Sequence, residues 1–207
     1  YINELRLDEE QFKQGLNSLT NSANEKPSLI KTAGNNIFFI VRSVFDYLSL
    51  RLALVKKEYR AKKIVYTAYN FCNKVNGKYE DRIVKPLFSD NIIFINTSKE
   101  RFLTAINDQK VYNIGGLSKL ISIFFRGSKQ MRYFKAYQVV NNSILRSLDY
   151  GKEVYLLWYY DLNSLSLIFS KQRTNVKLIE VQHGSIINYP PYIKPAPVKL
   201  IDVFYVK

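Results

Sequence analysis

The chain has 207 residues, 47% hydrophobic and 23% charged, which sustains one domain with a full core and excludes a disordered chain. Lysine and arginine number 31 against 17 acidic residues, a net charge of +14 that favours anionic partners: nucleic acid, phosphate-bearing molecules or an acidic membrane surface. One cysteine, Cys72, excludes an internal disulfide framework and a Cys-rich metal site, and one cysteine with one histidine argues against a zinc site of the usual ligands.

In chain order, residues 8–19 have the pattern of a short helix, with Asp8 as N-cap and Phe12, Leu16 and Leu19 on one face. The acids Glu4, Asp8, Glu9 and Glu10 do not fit the basic start of a signal peptide, and the chain begins at Tyr1 although its only methionine is Met131. It is therefore expected to be a trimmed or partial product. Residues 20–36 are polar, with Pro27 and Gly34, and predict a loop. Residues 36–60 predict a helix, because Phe38, Val41, Phe45, Leu48, Leu52 and Val55 recur at spacings of three and four. Arg42, Asp46 and Arg51 interrupt its apolar run, so a buried amphipathic helix is expected rather than a bilayer span. A cytoplasmic protein is expected. The basic residues from Lys56 to Lys63 suit a helix carboxyl terminus. Residues 1–60 make a helical lead-in.

Strands and helices then alternate. Strands are expected at 63–69, 91–96, 110–114, 153–160, 176–181 and 200–206, and helices at 100–108, 117–125, 129–149 and 162–170. Alternation of this kind implies βαβ crossovers, hence an α/β fold with a Rossmann-like parallel sheet and helices on both faces. Pro190, Pro191, Pro195 and Pro197 make the segment after 183 an extended loop.

The only histidine, His183, follows the apolar run Val176–Val181 in Glu180-Val181-Gln182-His183-Gly184. A strand closed by a polar, glycine-containing turn places these residues at the sheet's carboxyl edge, where ligands bind in open α/β sheets. There a histidine can take a proton from a hydroxyl near neutral pH or face a phosphate, and it can equally just cap a loop. Tyr159-Tyr160-Asp161 closes another strand, and Asp161 suits a helix N-cap as well as a rim position. Tyr69-Asn70 occupies the matching point after an earlier strand.

No dinucleotide glycine fingerprint, Walker sequence or nucleophile elbow occurs, and Gly115-Gly116 predicts a turn. Ser185 lies too near His183 in sequence to complete a triad readily. Between Asp108 and Asp149 there is no acidic residue, while Arg126, Lys129, Arg132 and Lys135 follow at spacing three just after Ile123-Phe124-Phe125. A basic band beside exposed aromatics can hold an anionic bilayer; the plain alternative is a solvated helix face. No RNA- or DNA-recognition motif is present, which sets nucleic acid below these two.

From Tyr159-Tyr160-Asp161 through Val176-Lys177-Leu178-Ile179-Glu180-Val181-Gln182-His183-Gly184-Ser185-Ile186, the sequence resembles the amino-terminal half of bacterial GT-B glycosyltransferases that build capsular polysaccharide, O-antigen and related surface glycans. The Pro- and Tyr-containing loop 188–197 and the strand 200–206 continue the likeness, which is specific over 153–207 and architectural before it. A more distant similarity is to polyol-phosphate transferases of teichoic acid synthesis, which carry a His-Gly at a comparable place.

The resemblance implies a two-domain enzyme in which this chain is the single, acceptor-side Rossmann-like domain. A carboxyl-terminal nucleotide-sugar domain would lie beyond it, so this half is expected to be inactive alone. It implies His183 as general base or donor-phosphate anchor, with Glu180 and Asp161 as acceptor ligands or orienters of the histidine. Gln182, Gly184, Ser185, Tyr69, Asn70 and Tyr160 are the implied substrate-binding residues. It implies a nucleotide-sugar donor, a glycan or lipid-linked acceptor, and no cofactor or bound metal. It also implies a position at the inner face of the membrane, held by Arg126, Lys129, Arg132 and Lys135. The other function class the residues leave open is a non-catalytic module docking to membrane or to a glycan-assembly partner.

Overall fold

The computed structural model describes residues 29–56, 63–67, 72–81, 92–98, 102–157, 161–172, 174–182 and 202–206. The elements in chain order are α1 (Leu29–Val55), β1 (Lys63–Thr67), β2 (Cys72–Val75), β3 (Lys78–Asp81), β4 (Ile92–Asn96), β5 (Ala105–Ile106) and β6 (Gln109–Asn113). They continue with α2 (Gly115–Ser122), α3 (Lys129–Leu145), β7 (Glu153–Leu156), α4 (Leu162–Lys171), β8 (Lys177–Gln182) and β9 (Val203–Val206).

Seven strands form one sheet in the order β5-β6-β4-β1-β7-β8-β9. Six of them, β6 to β9 in that row, pair parallel, and β5 joins β6 as an antiparallel hairpin. Numbered by their order along the chain, the six parallel strands lie 3-2-1-4-5-6. This is a Rossmann-like α/β fold, and its order reverses between β1 and β7.

The strands are apolar on both faces, as parallel strands buried on two sides must be. Ile64 and Tyr66 of β1, Ile93 and Ile95 of β4, Val154 and Leu156 of β7 and Leu178 of β8 join one cluster. That cluster takes Leu50 and Leu54 from α1, Leu117 from α2, Val140 and Ile144 from α3, and Leu167 and Ile168 from α4. Val65, Phe94, Val111, Tyr155, Ile179 and Val181 form the cluster on the opposite face, with Cys72 and Tyr79 of the β2–β3 hairpin packed against it. Among the described residues, the helices thus cover one face and the hairpin lies on the other.

Several sequence expectations are corrected. Residues 29–36, expected as loop, belong to α1. One glycine, Gly34, costs about 1 kcal/mol relative to alanine, and a helix once begun extends at one hydrogen bond per residue. Residues 102–108, expected as helix, hold β5 and a turn in which Asn107 and Asp108 adopt positive φ of 50° and 59°. The β2–β3 hairpin was not foreseen, although Asn76-Gly77, with φ of 50° and 81°, is a strong hairpin-turn signal. Gly115-Gly116 does not close β6 as a turn but opens α2. A Cβ at 116 would lie 2.6 Å from both the Phe39 carbonyl oxygen and Ser43 Oγ, and one at 115 would overlap the Ser98 carbonyl. Glycine is what lets α2 start this close to α1 and to the end of β4.

The largest correction concerns α1. Its stripe Phe38, Val41, Phe45, Leu48, Leu52 and Val55, expected to be buried, is 48–74% exposed. The opposite face, with Phe39, Ser43, Asp46, Leu50, Ala53 and Leu54, is the buried one. Asp46 fixes that choice. Its Oδ2 accepts from Asn113 N at 3.1 Å and Asn113 Nδ2 at 2.8 Å, and such a carboxylate cannot be turned to solvent without orphaning buried donors.

Candidate functional site

The strand order reverses between β1 and β7, with β8 next in line, and in open α/β sheets ligand sites lie at the carboxyl ends of the strands at such a reversal. The register puts Tyr66, Leu156 and Glu180 side by side across these three strands. Adjacent strands lie about 4.8 Å apart, so Tyr66 and Glu180 stand roughly 10 Å apart in the backbone. Alternation sends both side chains to the helix-covered face, where Tyr66 and Leu156 already belong to the first cluster.

Glu180 is 4% exposed, and among the described residues its Oε2 has no hydrogen-bond partner. Burial pushes its carboxyl up to about 8. Near neutrality this group holds its proton, so it can donate a hydrogen bond or exchange the proton with a hydroxyl. Tyr66, also 4% exposed, has a hydroxyl without a described partner, and burial raises it far above the ordinary phenol range. Sequence reasoning singled out Glu180 and missed Tyr66, whose only signal was a polar-tipped side chain inside the apolar run Ile64-Val65-Tyr66.

Asp161 opens α4, and its side chain accepts from Ser164 N at 2.7 Å. The N-cap role expected for it is thus filled. The carboxylate stays near the rim: the Tyr137 hydroxyl is raised first by burial and then by the Asp161 charge. Behind it α3 and α4 meet through polar groups, with Asn141 Nδ2 donating to Ser166 Oγ at 2.8 Å and Asn163 Oδ1 at 3.3 Å. Gln182 is the last residue of β8, paired in register with Val206. Of the other expected site residues, His183, Gly184, Ser185, Tyr69, Asn70 and Tyr160 lie outside the described residues.

A second carboxylate at this edge was not foreseen. Asp81, fully buried at the end of β3, accepts from Thr67 Oγ1 at 3.0 Å, and Thr67 is the last residue of β1. The β2–β3 hairpin is thereby tied to the strand at which the sheet order reverses. Further along the edge, Asn96 Nδ2 donates to Asn113 Oδ1 at 2.7 Å, and Asn113 reaches Asp46 and the Leu103 backbone. These groups are mutually satisfied, which makes them a clamp between β4, β6 and α1 rather than a binding site.

The basic band is rearranged relative to the sequence expectation. Arg126 precedes α3, whose N-cap is Ser128, so only Lys129, Arg132 and Lys135 are helical. Arg126, Lys129 and Lys135 are exposed, while Arg132 is half-buried. Just ahead of them Ile123 and Phe124 are 67% and 81% exposed. No acidic residue lies in the first turn of α3, so cations and the helix's positive end add there. No described helix is long and apolar enough to cross a membrane.

Comparison with protein-family models, with curated proteins and with solved structures finds no match.

Proposed function

We propose that this chain is the acceptor-side half of a GT-B-like glycosyltransferase. The whole enzyme would transfer a sugar from a nucleotide-sugar donor to a surface glycan or lipid-linked acceptor, at the inner face of the plasma membrane. The observation that carries the reading is the reversal of strand order between β1 and β7, with Glu180 buried and proton-bearing on neighbouring β8, three residues before His183. Ligand sites of open α/β sheets lie at such a reversal.

In this reading His183 takes the proton from the acceptor hydroxyl as it attacks the anomeric carbon, or anchors the donor phosphates. The neutral Glu180 carboxyl is a hydrogen-bond donor near the same sheet edge, and Asp161 holds the start of α4 at the rim. The leaving diphosphate is met by basic side chains and helix dipoles of the partner domain, with no metal required. Exposed Ile123 and Phe124, with Arg126 and Lys129 beside them, support contact with an anionic bilayer carrying the acceptor.

The test is turnover of the complete enzyme with a panel of radiolabelled nucleotide sugars and a membrane lipid extract as acceptor. His183→Ala is expected to lower turnover by about 10²–10⁴-fold while the circular dichroism spectrum stays unchanged. Turnover equal to that of the parent enzyme removes the catalytic assignment. If no sugar of the panel is transferred while vesicle binding persists, the non-catalytic docking module is the better account.

A further inference from the structure

One row of the sheet carries two orphaned polar groups. It runs Tyr112, Ile95, Tyr66, Leu156 and Glu180 across β6, β4, β1, β7 and β8, partner beside partner in the parallel register. Tyr66 and Glu180 are each 4% exposed, and among the described residues the Tyr66 hydroxyl and Glu180 Oε2 have no hydrogen-bond partner. An unpaired buried polar atom destabilises a fold, so each calls for a reason. Their place supplies one. Tyr66 is the last residue but one of β1, and Glu180 is two short of the end of β8, beside the reversal where ligands reach open α/β sheets.

The chemistry of the missing partner follows from charge and spacing. Phenol and carboxyl are both neutral near pH 7, because burial raises both. Each can then donate one hydrogen bond and accept another, as a hydroxyl does. Lys63 and Lys177, the cations of the two strands, stand three residues back, roughly 10 Å toward the amino edge, so an anionic group at this row meets no strand cation. The backbones of Tyr66 and Glu180 are themselves roughly 10 Å apart, with Leu156 between them, and strand side chains stand nearly perpendicular to the sheet. One water, with two bonds of about 2.8 Å, does not bridge that span, whereas two hydroxyls carried on one ring can.

We propose that Tyr66 and Glu180 are a hydroxyl-binding pair for an uncharged sugar ring, with Tyr66 a specificity-determining residue for a neutral sugar of the acceptor. Only the ligand's role as acceptor rests on the glycosyltransferase reading. The ligand enters from the carboxyl edge, and its hydroxyls supply the bonds that the two side chains lack.

Calorimetric titration and saturation-transfer NMR of the full chain test this. The probes are methyl glycosides of glucose, galactose, N-acetylglucosamine and rhamnose, with glucuronate and inorganic phosphate as anionic counterparts. At least one neutral glycoside is expected to bind, and more tightly than either anion. Tyr66→Phe and Glu180→Met are each expected to weaken that binding by about 3–10-fold, the worth of one hydrogen bond. Neither is expected to lower the urea midpoint, because each removes an orphaned polar atom and keeps the packing, whereas loss of a purely structural contact would lower it. Failure of every neutral glycoside to bind overturns the proposal and leaves the row to ordered water. So do variants that bind as the parent does, a lowered midpoint in both variants, or preference for glucuronate or phosphate. Binding needs neither donor nor turnover. Its failure beside intact His183-dependent transfer removes this site alone, and sugar binding without transfer removes the enzyme and keeps the site.

Discussion

Glu180 shows how much of a residue's chemistry its neighbours in space decide. Its folded value of about 8 lies above the ordinary 4.5, so the native state binds a proton that the unfolded chain has released over that interval. The stability associated with the neutral carboxyl is full below about 4.5 and is lost progressively as pH rises to about 8, with an upper slope of about 1.4 kcal/mol per pH unit. Glu180→Gln keeps the shape and removes the titration. Urea denaturation at pH 5 and pH 8 is expected to show the Gln variant gaining on the parent by about 2–4 kcal/mol between the two. Equal pH slopes for both proteins would sink the assignment. Sequence alone placed Glu180 near a strand end, but not the face it takes. Alternation sends Val181 to the hairpin side and Glu180 toward the helices, and burial there raises its proton affinity. Asp161 was legible because an N-cap is local: the hydrogen bond closes within three residues. Asp81 and Tyr66 were not, because each matters only through strands far away in sequence.

Elements obey the same division. The six parallel strands were visible as apolar runs, and α2, α3 and α4 as periodic segments, with ends displaced by a few residues. The 102–108 stretch failed because its helical spacing competed with turn chemistry. Asn107-Asp108 accept positive φ, and the paired ladder with β6 then satisfies the backbone. Helix α1 was legible as a helix and misjudged in its facing, since a pattern of threes and fours marks an apolar stripe without saying what covers it. Gly116 is the element-scale test. The Gly116→Ala methyl would lie 2.6 Å from a backbone oxygen of α1, so α2 must move. A loss of about 1–3 kcal/mol is expected from the urea midpoint, with helix content retained. A neutral substitution would show that the α1–α2 approach is looser than this geometry requires.

At the scale of the whole molecule, a sheet ordered 3-2-1-4-5-6 and a charge of +14 act together. The reversal of order marks the sheet edge where ligands of open α/β sheets bind, and the positive charge raises the local concentration of anions around the molecule. Co-sedimentation with vesicles containing phosphatidylglycerol is expected to fall several-fold from 50 to 500 mM salt and to weaken in Phe124→Ser, because exposed pairs are screened over a Debye length of about 4–14 Å. Salt-insensitive binding, or none, would withdraw Arg126, Lys129 and Lys135 from a membrane role. By itself the sequence determined the class of fold, the existence of most strands and helices, the excess of positive charge and the positions flanking strand ends. All of these are local or additive properties, fixed by propensity, periodicity and counting. Tertiary structure alone decided the strand order, which face of α1 is buried, the union of Asp46 with Asn113, and the burial of Glu180. Those depend on contacts between segments tens of residues apart, whose free energy comes from shared burial and appears in no single stretch of chain.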